Sequence, residues 1–143
     1  ILTPCLSNWF SNPKILHFVS PSMRYPFKIQ QWINKSYSNQ SNTLVLKLDN
    51  WIIGHVSIQM KNQTKLAHIF HLIIDPNQRQ KGYGKFLISH AEELIIKNNL
   101  KKITINVLIK NRIAKTFYEK SGFIEYENSN HGKIKMLKIL EKL

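Results

Sequence analysis

Hydrophobic residues recur along the chain at two spacings, and these predict which segments form helices and which form strands. In the first half, helical spacing predicts one or two short helices within residues 1–22 and another over residues 26–35. A Ser/Asn-rich stretch at residues 36–43 is typical of a loop. Runs typical of strands follow at residues 43–48, 51–60 and 65–74.

The hydrophobic pattern in the second half of the chain predicts two helices and three strands. The first helix would begin after residue 84 and end near residues 98–99, with one apolar and one charged side. Asn111 is placed to cap the second helix, which Gly122 would end in the left-handed conformation. The apolar side of the first helix is predicted to hold Phe86, Leu87, Ala91, Leu94 and Ile95, and that of the second Ile113, Ala114, Phe117 and Tyr118. The three strands are predicted at residues 103–109, 123–127 and 133–140.

The order of these elements predicts the fold class. The strand, helix and strand over residues 65–109 should form a right-handed parallel crossover, because such connections are almost always right-handed. The Asp49-Asn50 pair suits a tight hairpin, and the remaining strands are expected to pair antiparallel. We therefore expect an α/β fold: a mixed, mostly antiparallel sheet with a central parallel crossover and helices on both faces, in a single domain of residues 1–143.

Composition narrows the class of protein. Hydrophobic residues make up 43% and charged residues 20%, and no apolar run approaches the roughly 18 residues of a membrane helix. Cys5 is the one cysteine, so an intrachain disulfide is excluded, and no zinc-ligand cluster or signal segment is visible. We expect a non-membrane protein without a metal site, in a reducing, cytoplasmic setting.

The formal charge of +13, from 21 Lys and Arg against 8 Asp and Glu, is the unusual bulk property. Such a charge attracts anionic partners, whether nucleic acid, a ribosome surface or an anionic cofactor. The lysines are nevertheless spread along the chain, without a basic block interleaved with aromatic residues. Solvated lysines explain the charge equally well.

The basic turn between the third strand and the following helix is the first candidate site. A strand that enters a helix through a glycine-containing turn directs free backbone N–H groups towards one point, where the helix dipole also favours negative charge. Gly82 and Gly84 stand in this turn, which therefore has the features of a phosphate-binding loop. Glycines also serve ordinary turns, so Gly-x-Gly alone is a weak signal.

Two motifs together resemble the GNAT superfamily of N-acetyltransferases. Arg79-x-x-Gly82-x-Gly84 is similar to the acetyl-CoA motif of that superfamily, and Asn111-x-x-Ala114-x-x-x-Tyr118-x-x-x-Gly122-Phe123 is similar to its second motif. The resemblance spans residues 66–126. It implies a GNAT-like fold, acetyl-CoA as cosubstrate and direct acetyl transfer to a primary amine. The acceptor stays open among an amino sugar, a peptide or protein N-terminus and a small amine.

The resemblance also implies which residues bind the cosubstrate. Backbone N–H groups from Gln80 to Gly84 would hold the pyrophosphate, with added charge from Arg79 or Lys81, although both cations suit a solvated loop as well. Asn111 would contact the cofactor, or act as a helix cap alone. The implied cofactor-binding residues are Leu72, Ile73 and Ile74, whose backbone would pair with the pantetheine arm, and Arg79, Gln80, Lys81, Gly82, Tyr83, Gly84 and Asn111.

Two catalytic residues are implied. Tyr118 matches the family tyrosine near the cofactor sulfur, where a phenol can act as general acid, although a buried tyrosine is often only part of the core. His68 falls where other branches of the family carry a catalytic base, although a lone histidine in a strand is more often structural. His71 is the second choice for the base, and strand alternation predicts that it faces away from His68. In one branch of the family a glutamate at the position of Asn106 acts as the catalytic base, and an asparagine cannot take a proton. Either His68 is therefore the base, directly or through water, or the chain lies outside that branch.

The acceptor and other binding partners are predicted only as broad classes. Phe27, Trp32 and Tyr37 are candidates to line the acceptor site, with packing on the sheet favoured for Trp32. A charge of +13 should repel polyamines and favour anionic acceptors such as nucleotide-linked amino sugars or proteins bound to RNA. An alternative function is a GNAT-fold nucleic-acid or ribosome-associated binding module that uses acetyl-CoA poorly or not at all. A homodimer is left open, and a Rossmann domain is disfavoured because residue 87 is Leu instead of the third glycine.

Overall fold

The computed structural model describes residues 2–38, 41–128 and 131–140. Within these ranges the chain begins with three short helices, α1 (Leu2–Trp9), α2 (Pro13–Val19) and α3 (Ile29–Ser36). The Asn12 side chain accepts a hydrogen bond from the Lys14 N–H at 2.9 Å, and a proline suits the first helical position that follows it. The predicted early helices are confirmed, and α3 begins three residues later than expected.

The described strands form one mixed sheet. Its strand order is β1-β2-β3-β4-β6-β5, in which β3 and β4 run parallel and the other neighbouring strands run antiparallel. The fold class predicted from the sequence is therefore confirmed. The remaining elements are β1 (Ser41–Leu48), β2 (Trp51–Lys61), β3 (Leu66–Ile74), α4 (Tyr83–Lys97), β4 (Lys102–Leu108), α5 (Arg112–Lys120), β5 (Ile124–Asn128) and β6 (Lys133–Ile139), with a 3-10 turn at Pro76–Gln78.

Local signals placed the turns and caps correctly. Oδ1 of Asn111 accepts a hydrogen bond from the Ala114 N–H at 3.3 Å, so Asn111 caps α5 as predicted. Gly122 follows α5 with a φ of 99°, the left-handed conformation expected at a helix end. Asp49 turns the chain between β1 and β2 with a φ of 55°.

Apolar clusters pack on both faces of the sheet. One joins the buried side of α4 to the strands, and the other joins α1, α2 and α3 to β2 and β3. Helices on both faces are thus confirmed. The first cluster includes Ile69, Leu87, Ile88, Ala91, Ile95, Ile103 and Phe123, and the second includes Leu6, Trp9, Phe10, Leu16, Trp32 and Ile73.

Two apolar residues predicted in the buried helix faces are exposed. Phe86 is 51% exposed and packs edge-on against His90, while Ile88 is buried in its place because the core-facing side of α4 is centred on Leu87 and Ala91. Ile113 is 87% exposed, because it lies in the first turn of α5 beside a cleft. Helical spacing alone does not show which residues at the edge of an apolar helix face remain exposed.

A β-bulge in β3 changes the direction of one histidine. His55 of β2 is opposite Ile73 and Ser57 is opposite Phe70, so β3 has one extra residue between these pairs. His71 occupies the bulge with a φ of 51°, and its ring stacks on Trp32. His68 lies between Ala67 and Ile69, which both pack in the α4 cluster, and therefore faces the same side as His71. The prediction that the two histidines face opposite sides is wrong, because the extra residue inverts the alternation.

In the described residues, no helix combines the length and the apolar character that crossing a membrane requires.

Candidate active site

The parallel strands β3 and β4 separate part-way along their length. Their pairing covers Leu66–Ile69 and Lys102–Ile105, whereas β3 continues to Ile74 and β4 to Leu108. A cleft of about 1250 Å³ lies between the diverging ends and is lined by residues of both strands; we call it the central cleft. Beyond Ile69, backbone groups on this edge of β3 are therefore available to a ligand.

The glycine turn forms one end of the central cleft. Gly82 is the N-cap of α4 with a φ of 83°, and a Cβ added there would meet no atom within 4 Å. Glycine suits this position because it adopts the left-handed backbone conformation without strain, and the space beside it is open. Gly84 serves a different purpose, since a Cβ there would lie 3.3 Å from Cζ of Phe117. The first N–H groups of α4 have no partner inside the helix and are available to an anion.

The two predicted cations of the turn have different surroundings. Nε of Arg79 donates to the Ile74 carbonyl at 3.4 Å, and the side chain lines the central cleft. Burial lowers the pKa of Arg79, and Asp75 partly offsets this effect. Nζ of Lys81 instead donates to Oε1 of Gln78 at 2.9 Å. Lys85, in the first turn of α4, also lines the cleft and was missed by the sequence analysis.

Helix α5 supplies the opposite wall. Asn111, Ala114, Phe117 and Tyr118 line the central cleft, so the second motif and the backbone of Leu72, Ile73 and Ile74 lie on the same cavity. Tyr118 is 7% exposed, and burial raises the pKa of its phenol further above the ordinary value of 10.0. The phenol is therefore protonated at neutral pH and has a proton to donate.

His68 lies in the other part of the central cleft, together with Asn106. Its Nδ1 is 2.9 Å from Oγ1 of Thr104. Burial lowers the pKa of His68 to about 4, with Lys61, Lys135 and Lys35 lowering it further and the Thr104 hydrogen bond opposing them. The imidazole is therefore neutral at pH 7.

His71 also borders the central cleft, but both ring nitrogens already have partners. Nε2 lies 3.0 Å from the Ser20 hydroxyl and Nδ1 lies 2.6 Å from the Ser36 hydroxyl. The ring stacks on Trp32 at a centroid distance of 3.6 Å, and burial lowers its pKa to about 3. This environment fits a structural histidine that holds α2 and α3 against the sheet.

The predicted acceptor-site aromatics lie elsewhere. Phe27 and Trp32 pack with Phe10 in the second apolar cluster, and Tyr37 stands edge-on to His55. Packing on the sheet, favoured for Trp32, is confirmed. Helix α2 lines the central cleft instead, through Lys14, Ile15, Phe18 and Val19, because Leu16 alone of its apolar residues is fully buried in the core. A seven-residue helix that is apolar on more than one side is the signal that was available for this wall.

No three His, Cys, Asp or Glu side chains come together as a metal site in the part of the chain that the structure describes.

The acetyltransferase (GNAT) family model matches residues 6–123. The chain belongs to this family. The match contains the glycine turn, the diverging strands and the helix that carries Tyr118. As a GNAT protein, the chain is an acetyl-CoA-dependent N-acetyltransferase.

Solved structures of the same fold cover nearly the whole GNAT chain. The PaiA N-acetyltransferase of Thermoplasma acidophilum, in complex with coenzyme A, is 20% identical with a TM-score of 0.73, over 95% of this chain and 91% of that one. Spermidine N-acetyltransferase of Vibrio cholerae, in complex with CoA and spermine, is 23% identical with a TM-score of 0.74, over 94% and 88%. Tetrahymena GCN5 is 19% identical with a TM-score of 0.72, over 98% and 87%. At these identities the comparisons establish the fold.

The central cleft fits acetyl-CoA. Open space beside Gly82 leaves room for a phosphate at the N-terminus of α4, where Arg79 and Lys85 add positive charge. Among the described residues, no Asp or Glu lines this cleft. The open edge of β3 then leads from the turn towards Tyr118 and His68.

Proposed function

We propose that the central cleft is the acetyl-transfer site, with Tyr118 as proton donor, His68 as proton acceptor and a primary amine as acetyl acceptor. The observation that carries this proposal is the end of the parallel register at Ile69 and Ile105. It opens one continuous cavity from the N-terminus of α4 to Tyr118 and His68. The free N–H groups at the N-terminus of α4, the Tyr118 phenol and the neutral His68 imidazole then lie on the same cleft.

Acetyl-CoA supplies the activated acetyl group, and the residues of the chain hold and orient it. Backbone N–H groups of Gln80, Lys81, Gly82, Tyr83 and Gly84 bind the pyrophosphate, supported by Arg79 and Lys85 more than by the Lys81 side chain, which is engaged with Gln78. The unpaired edge formed by Leu72, Ile73 and Ile74 binds the pantetheine arm through its backbone. Asn111 caps α5 and faces the same cleft, so it can serve both purposes.

Tyr118 is the proton donor in this proposal. Its phenol stays protonated because burial raises its pKa, and it lines the cleft on the α5 side. A thiolate leaving group needs a proton, and a positioned phenol can provide one. The buried position also excludes bulk water from the donor.

His68 is the proton acceptor. An ammonium ion has no lone pair, so the acceptor amine must lose a proton before it attacks. His68 is neutral at pH 7 and therefore able to take that proton, directly or through water. Asn106, on the same cleft, has an amide that cannot do so, and both ring nitrogens of His71 are already hydrogen-bonded.

A thiol-release assay tests the proposal. The purified chain is incubated with acetyl-CoA and a panel of amino sugars, amino acids, peptides with free N-termini and polyamines. We expect amine-dependent release of free thiol for at least one acceptor class, and loss of most of that release in H68Q. Wild-type release that no amine stimulates, or an H68Q enzyme as active as wild type, would contradict the proposal.

A further inference from the structure

Three lysines act on the charge of His68, namely Lys35 of α3, Lys61 of β2 and Lys135 of β6, and Lys133 of β6 acts on Lys35; we call these four residues the lysine cluster. Lys35 and Lys133 line the central cleft. Lys61 and Lys135 line a second cavity of about 410 Å³, which shares His68 and Asn106 with the central cleft. The positive charges therefore stand around the residue that the proposed function places next to the acceptor amine.

One acidic residue adjoins the cluster, because Glu127 of β5 is the register partner of Lys135. Of the residues described, no Asp or Glu lines either cavity, and none of the four lysines makes an ion pair. Nζ of Lys35 donates to the Ser22 hydroxyl at 2.5 Å. Burial lowers the pKa of Lys35, and Lys133 lowers it further. These like charges repel one another in a partly buried place, and a bound anion would relieve that repulsion.

We propose that the acceptor is a primary amine that also carries an anionic group, a carboxylate or a phosphate, and that the lysine cluster binds this group. The proposal rests on the proposed function, because it needs the amine to reach the central cleft. The second cavity gives the anionic group a place beside His68. A polyamine would place further positive charge among the lysines and is rejected by the same field.

The cluster also links acceptor binding to acid–base chemistry. Three of its lysines lower the pKa of His68, so an anion bound among them would raise that pKa back towards the ordinary value. The acceptor that fits the site would then strengthen the group that takes its proton. A neutral or cationic amine would leave His68 a weaker base.

Matched amine pairs test the inference. With acetyl-CoA saturating and ionic strength held constant, kcat/KM is measured for glucosamine 6-phosphate against glucosamine, for glutamate against its dimethyl ester, and for spermidine. We expect at least one anionic member to exceed its neutral partner by about tenfold or more, with spermidine below both. The phosphate and carboxylate pairs show which anion is preferred.

Charge-removing variants supply the matched comparison. In K35Q and K135Q the preference for the anionic member over its neutral partner should fall towards one. K97Q removes an equal charge from α4, away from both cavities, and should keep the wild-type preference. Calorimetric affinity for acetyl-CoA should stay within about twofold in all three variants, since none of these lysines is in the glycine turn.

The outcomes separate the two proposals. In a chain that acetylates at least one amine, equal turnover of the neutral partners or a preference for spermidine would overturn the anionic acceptor. Failure of the wild-type chain to bind acetyl-CoA, or to acetylate any tested amine, would instead contradict the proposed function.

Discussion

Nδ1 of His68 lies 2.9 Å from Oγ1 of Thr104, and the two residues are register partners in the parallel pair of β3 and β4. The pair stands one residue before the register ends and the central cleft opens. For Nε2 to accept a proton, Nδ1 must carry the hydrogen and donate it to the threonine oxygen. Thr104 is therefore expected to orient His68 and select its tautomer.

Replacement of Thr104 by valine tests this positioning role. T104V keeps the side-chain volume but removes the acceptor for the Nδ1 hydrogen, so kcat should fall by about three- to tenfold. Affinity for acetyl-CoA should be retained, and T104S should restore most of the rate because it returns a hydroxyl. Steady-state kinetics of wild type, T104V and T104S measure this effect. Equal kcat in T104V and wild type would show that Thr104 has no role in the mechanism.

Loss of the Tyr118 hydroxyl should slow the chemical step. Y118F keeps the ring in the core, so we expect kcat to fall by about tenfold or more. Binding of acetyl-CoA measured by calorimetry should change little, because the proposed pyrophosphate site is at the other end of the central cleft. Full activity in Y118F would show that another group protonates the leaving thiolate.

Stability should decrease as the pH falls from neutrality. Burial lowers the folded-state pKa of His55 to about 4, of His68 to about 4 and of His71 to about 3, all below the ordinary 6.5. Between about pH 6.5 and 4 the unfolded chain therefore binds more protons, and each such histidine removes up to about 1.4 kcal/mol of unfolding free energy per pH unit.

Urea denaturation at pH 7, 6 and 5 measures this dependence. The contribution is fully present above pH 6.5 and is progressively lost below it. H71F should show a shallower pH dependence than wild type, whatever its stability at pH 7, because one of the three buried imidazoles is gone. An unfolding free energy that stays level or rises from pH 7 to pH 5 would show that these histidines can be protonated in the folded state.

The fold was predictable because most of its signals are local. Hydrophobic spacing gave the order of helices and strands, Asn111 gave a helix start, and Gly122 gave a helix end. The two motifs that resemble the GNAT family were also visible as short residue patterns. These features depend on neighbours within a few positions, so a single sequence contains them.

The errors involve contacts between distant parts of the chain. The bulge at His71 places a residue other than glycine at a φ of 51°, held by Trp32, Ser20 and Ser36 from the N-terminal helices. Strand alternation could not show that the bulge turns His71 to the side of His68. The wall formed by α2 was missed for the same reason, since the helix is apolar on two sides and only the sheet decides which side is buried. The gathering of four lysines from α3, β2 and β6 also required the folded chain.

Gly82 offers the most direct test of the central cleft as the acetyl-CoA site. Its φ of 83° is tolerated by Asn and Asp better than by other side chains, and a side chain there meets open space. G82N and G82D therefore form a matched pair of nearly equal size that differs in charge. Their melting temperatures without ligand should be similar to each other.

Calorimetric titration of wild type, G82N and G82D with acetyl-CoA is the decisive measurement. We expect wild type to bind, G82N to bind more weakly, and G82D to lose at least about a further tenfold in affinity, because its carboxylate would repel the pyrophosphate at the N-terminus of α4. An affinity in G82D equal to that of wild type would show that the pyrophosphate binds elsewhere and would contradict the assignment of the cleft.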